Sequence, residues 1–121
     1  MKLYHFTDED IGTLKIENFG KNHYSKNDLK YPQKRLFFYD SLEPGEYHLK
    51  GCQYRYTVNI DEKDIYNLDT DKLRLKQKYN YDIDNILKFI DENFKACCYT
   101  SSFLCYCVFK DIIPTKKENL K

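Results

Sequence analysis

His5 stands in the run Leu3-Tyr4-His5-Phe6-Thr7, close to the chain start. At the end of a strand, a histidine can offer its ring nitrogens to a sugar hydroxyl while neighbouring backbone groups hold an amide. The plain alternative is a surface or half-buried histidine. Residues 19–25 read Phe-Gly-Lys-Asn-His-Tyr-Ser and bring a glycine, a second histidine and an aromatic ring together. Four of the five cysteines crowd into Cys97, Cys98, Cys105 and Cys107. That spacing is not the usual Cys-x2-4-Cys pair of a zinc site. Small buried hydrophobes in a reduced core are the better reading, and no metal is expected. Cys105 as a thiol nucleophile would need a base such as His5 close by. Arg55, on the polar side of an alternating run, is a weak cue for a phosphate or acidic partner. The 12 tyrosines invite a base-stacking reading, but most read as core and rim residues.

The elements that must position these groups follow from periodicity. Lys2–Thr7 reads as a first strand, and Leu14 with Ile16 as a second short extended piece. A buried strand over 34–39 carries Leu-Phe-Phe-Tyr, and a turn follows over 42–45. Over 52–60 the alternation puts Tyr54, Tyr56, Val58 and Ile60 on one face. A short strand is expected over 64–68 and a weak helix over 71–79. A strong helix is expected over 82–94, where Ile83, Ile86, Leu87, Ile90 and Phe94 keep helical spacing. Asp82 and Asp84 suit its start. Strands are expected over 97–100 and 103–109, with Ile112-Ile113 closing before Pro114. Residues 115–121 read as a loose tail. This order predicts one α+β domain over 1–121, a small mixed or antiparallel sheet with one strong helix.

Composition sets the outer limits. A chain of 121 residues can bury about 65% of the surface its unfolded form exposes. Its 20 aromatic side chains are too many for a disordered segment. No apolar run is long enough to cross a membrane as a helix. The acidic residues Asp8, Glu9 and Asp10 right after the start are unlike a signal peptide. Net charge is +1, so the overall field gives no reason to expect a membrane surface or extensive nucleic-acid contact. An odd cysteine count points to a reducing cytoplasm. Lysine outnumbers arginine 17 to 3 and there is a single alanine. This bias reads as AT-rich coding in a low-GC bacterium or one of its phages.

Leu-Tyr-His-Phe-Thr together with Phe-Gly-Lys-Asn-His-Tyr resembles the ADP-ribosyltransferase superfamily, on the side of poly-ADP-ribose polymerases and diphtheria-type toxins. The resemblance implies that fold, with NAD as substrate held between the first strand and residues 19–25. It puts the family's histidine role on His5 and its nicotinamide-stacking role on Tyr24. Thr7, Gly20 and Ser25 belong to the same two motifs, and Tyr31 or Tyr39 would supply a second stacking ring. Gripping nicotinamide by stacking contributes about 1 kcal/mol beyond buried area, while a carboxylate stabilises the oxocarbenium-like centre. Three departures stand out. Phe6 replaces the usual glycine after the histidine, Asn22 replaces the motif's second glycine, and the final-strand glutamate falls on or near Cys105. The missing acid would come from the acceptor or from a loop residue, Asp28 or Asp40. Asp40 ends an apolar strand, though aspartate there also suits the turn leading to Pro44-Gly45. The implied function is transfer of one ADP-ribose to a protein acceptor, in a phage or mobile-element effector. A non-catalytic inhibitor on the same scaffold, and an RNA-directed NAD-using transferase, are the alternatives.

Overall fold

The computed structural model describes residues 1–14, 36–46, 49–100 and 103–121. Among these residues lies a seven-stranded sheet built from β1 (Lys2–Thr7), β2 (Leu36–Tyr39), β3 (Tyr54–Asn59), β4 (Ile65–Asn67), β5 (Ala96–Thr100), β6 (Leu104–Val108) and β7 (Lys116–Asn119). Two helices accompany it, α1 (Leu75–Lys78) and α2 (Ile83–Asn93). The strand order is β4-β5-β6-β2-β1-β3-β7. All neighbours are antiparallel except β4 and β5, which run parallel. Parallel neighbours need a long crossover, and α1 with α2 supplies it. The fold is thus α+β with a mixed sheet.

Strand alternation divides the core into two layers. On one face Phe6, Phe37, Tyr39, Tyr66, Cys97, Cys105 and Cys107 pack with Leu75 and with Ile86, Leu87 and Ile90 of α2. On the other, Leu3, Phe38, Tyr56, Val58, Cys98 and Tyr106 pack with Leu14. Because both faces are covered, β2 is buried at all four positions. This explains why its sequence is a continuous apolar run rather than an alternating one. Tyr54, Tyr56, Val58 and Ile60 do share one face. Leu14 forms an isolated bridge with Ile112; Ile16 lies outside the described residues.

Helix α2 starts where Asp82 caps it, its carboxylate accepting from the Asp84 and Asn85 amides. The weaker helix expected over 71–79 shrinks to the single turn α1. Asp71 and Arg74 have φ of 45° and 52°, left-handed values that a helix cannot contain. The turn is held instead by Asp71, whose carboxylate accepts from the amides of Leu75 and Lys76 and from the Tyr66 hydroxyl. Asn80 and Tyr81, again left-handed, end it. After β2 the chain makes a 3-10 turn, Glu43–Glu46. A Cβ on Gly45 would fall 2.5 Å from the Phe6 ring, so only glycine lets this turn lie on β1.

The tail expected to be loose over 115–121 is instead the edge strand β7. It pairs antiparallel with β3 from Thr57↔Lys116 to Tyr54↔Asn119. Its apolar content is low, which is why periodicity misses it; cross-strand pairing holds it, with Arg55 meeting Glu118 at 2.8 Å. No helix among the described residues is long and apolar enough to cross a membrane.

Candidate functional site

His5 sits inside the sheet. The β1–β3 register sets it opposite Tyr56, and its ring centre lies 5.3 Å from that of Phe38 on β2. Phe38 in turn is opposite Tyr106 on β6, and Tyr106 is opposite Cys98 on β5. Tyr56, His5, Phe38, Tyr106 and Cys98 therefore form one row across five strands, on the sheet face away from α2.

Within the row, His5 Nδ1 is 2.7 Å from the Phe37 carbonyl oxygen. A carbonyl only accepts, so Nδ1 carries the hydrogen. In the neutral ring Nε2 then holds the lone pair, the form that can accept from a hydroxyl. Thr7 lies on the same face, buried; its hydroxyl accepts from the Glu9 amide at 3.2 Å. Asp40 follows β2 two positions after Phe38 and is exposed. The Tyr106 hydroxyl donates to its Oδ2 at 3.3 Å. Burial, then the Asp40 charge, holds the Tyr106 hydroxyl well above the usual phenol range. Cys98 is pushed up to about 11 by burial, with Asp69 and Asp40 adding to it.

Tyr39 is placed differently from the expectation that it join His5 around one ring. It points to the α2 face, against Phe6 and Phe103 with ring centres 6.4 Å apart in each case. The aromatics that the sheet brings beside His5 are Phe38 and Tyr56. Cys105 also faces α2, and its thiol donates to the Phe103 carbonyl at 3.3 Å. Strand alternation thus separates it from His5, and the pairing of this thiol with His5 is not formed. Gly20, Tyr24, Ser25, Asp28 and Tyr31 lie outside the described residues.

The four clustered cysteines are split by the same alternation. Cys97, Cys105 and Cys107 face α2, and Cys98 faces the other layer. Among the described residues, no group of three or more histidine, cysteine or acidic side chains is placed to hold a metal.

Phe38 and Tyr106 are the neighbours that sequence reading missed. Alternation along β2 puts Phe38 and Asp40 on one side, but nothing local tells that β1 and β6 flank that strand. The chain matches no protein-family model, no curated protein and no solved structure.

Proposed function

We propose that the chain is an ADP-ribosyltransferase-like domain that takes NAD at the His5 face and transfers one ADP-ribose to a protein acceptor, inside a bacterial or infected cell. The observation that supports this reading best is the state of His5. The ring is on the first strand, as the motif resemblance asks, and the Phe37 carbonyl fixes the tautomer whose Nε2 accepts from a ribose hydroxyl. Asp40, at the end of the adjacent strand, supplies a carboxylate for the positive charge that develops as the glycosidic bond breaks. Incubation with labelled NAD and host lysate tests it. A labelled protein band in wild type, lost in His5→Ala, supports transfer. Nicotinamide release without a band means hydrolysis instead.

One observation favours a second reading, a non-catalytic inhibitor that acts by contact. Residue 105, where the resemblance asks for an acid, is a cysteine facing away from His5. Absence of NAD binding by calorimetry, together with no labelled acceptor, would select that reading.

A further inference from the structure

On the α2 side of the sheet, beyond the helices, lies a recess of about 210 Å³ over β1, β3 and β7. Its floor is the cross-strand row Tyr4, Thr57 and Lys116. Lys2 and Arg55 flank that row, and Glu118 and Leu42 complete the lining. Three cations therefore meet one carboxylate here, in a chain whose whole net charge is +1. Because Lys2 and Tyr4 alternate with Leu3 and His5 along β1, the recess opens on the face opposite His5.

Two features make the recess more than a set of surface lysines. Arg55 is fixed: its Nη2 and Nε lie 2.8 and 3.4 Å from the two oxygens of Glu118. Its guanidinium carbon also sits 6.0 Å from the Tyr4 ring centre. Arg55 and Glu118 side chains are only 19% and 29% exposed, so this cation is held in place. Second, Thr57 is only 5% exposed and lines the recess, yet among the described residues no hydrogen bond engages its hydroxyl. Thr57 takes part in bonding only through its backbone there, accepting from Thr115. No ion pair among the described residues engages Lys2, while Lys116 Nζ reaches Glu118 at 3.7 Å.

We infer that this recess is a phosphomonoester site, in which Lys2, Arg55, Lys116 and the Thr57 hydroxyl receive one dianionic phosphoryl group and the Tyr4 and Leu42 walls receive a small organic body. Two excess positive charges match a dianion. A hydroxyl beside fixed cations supplies a directional donor, which a monoanionic carboxylate would use less fully. The volume is that of about seven waters, enough for a phosphoryl group with a few carbons and too little for a nucleic-acid strand. A phosphate monoester gains its second charge at a pKa of about 6. Lys2, Arg55, Lys116 and Glu118 are the charged groups facing it, so binding should tighten as pH rises through that value.

The test is an amide NMR titration of the full chain at fixed ionic strength, with inorganic phosphate, glycerol 3-phosphate and acetate as probes. Expected are saturable shifts at Lys2, Tyr4, Thr57 and Lys116 with both phosphates, growing as pH rises through about 6 for glycerol 3-phosphate and at a higher pH for inorganic phosphate, and none with acetate. Equal affinity for the two phosphates would mark free phosphate as the ligand, and tighter glycerol 3-phosphate the monoester. The exposed double variant Lys2→Gln/Lys116→Gln should weaken binding about tenfold or more, and Thr57→Val several-fold. Glu118→Gln should tighten it by removing the like charge. Acetate shifting the same amides equally, no saturable binding of either phosphate, or wild-type affinity in the double variant would each overturn the site.

Discussion

His5 Nδ1 and the Phe37 carbonyl oxygen, 2.7 Å apart, join a side chain of β1 to the backbone of β2 in the buried centre of the sheet. The bond ties the ring's chemistry to the sheet's stability. His5→Leu keeps much of the volume but leaves a buried acceptor one bond short, at a cost of about 1–3 kcal/mol. His5→Gln, whose amide can donate to the same carbonyl, should recover part of that loss. Urea unfolding of the two variants checks the order.

Asp40 is the acid that the proposed transfer would use. Asp40→Ala is expected to lower ADP-ribosyl transfer about 10²–10³-fold while NAD affinity, measured by calorimetry, stays nearly unchanged. Tyr106→Phe removes the hydroxyl bound to Asp40 and leaves the carboxylate in place. Its transfer rate should fall less than that of Asp40→Ala. Wild-type turnover in Asp40→Ala would eliminate it as the acid.

Cys98 and Tyr66 make the fold sensitive to alkali. Cys98 titrates at about 11 against an ordinary 9.0, and Tyr66 at about 12 against 10.0, raised by burial and then by its bond to Asp71. Both folded values lie above the unfolded ones. The stabilisation is therefore complete below the ordinary values and is lost as pH rises through the folded ones. Urea midpoints should fall steadily between about pH 9 and 12. In the native protein near pH 9, Cys98 should be alkylated about 50-fold more slowly than in urea, as read by mass spectrometry.

Asp71 is coupled to Tyr66 in the opposite sense. Burial pushes its carboxyl upward, but the Tyr66 hydroxyl and the Lys76 and Leu75 amides outweigh this and hold it below 3.8. That stabilisation is present above the ordinary value and is lost as pH falls through the folded one. Tyr66→Phe deletes the hydroxyl bond to Asp71 and the acceptor for the Leu73 amide. A loss of about 1.5–3 kcal/mol is expected, with α1 amides exchanging faster than those of α2.

Strand β7 is the remaining target. Removing residues 115–121 should uncover the backbone of β3 from Tyr54 to Thr57, an exposed edge of high β-propensity. Concentration-dependent association on size-exclusion chromatography is the expected outcome. A truncated chain that stays monomeric with unchanged stability would show that β7 adds nothing.

Local pattern carried most of the elements. Periodicity located β1 and α2, and alternation in β3 assigned Tyr56 and Val58 to one face correctly. Where pattern failed, tertiary context decided. Lys116–Asn119 has no apolar rhythm, and only pairing with Arg55 and its neighbours makes it a strand. Residues 71–74 have fair helical content, but left-handed Asp71 and Arg74 delay the helix until Leu75. The site was legible only in part. His5 and Thr7 could be placed on the first strand and Asp40 at the end of another, whereas the neighbours they meet depend on which strands flank β2. Those flanking strands, β1 and β6, come from opposite ends of the sequence. Tyr39 shows the limit: one step along β2 from Phe38 reverses the face.

That placement of β2 has a kinetic consequence. Leu36–Tyr39 is flanked by β1 and by β6, whose pairing partners Cys105 to Val108 come late in the chain. During synthesis β2 has one neighbour in hand and must wait for the other. Meanwhile a Leu-Phe-Phe-Tyr segment stands with one side unsatisfied. The sheet therefore cannot zip up in chain order, and its central seam stays open until β6 emerges. High contact order of this kind slows folding and leaves the nascent chain exposed to chaperones and proteases until β6 arrives.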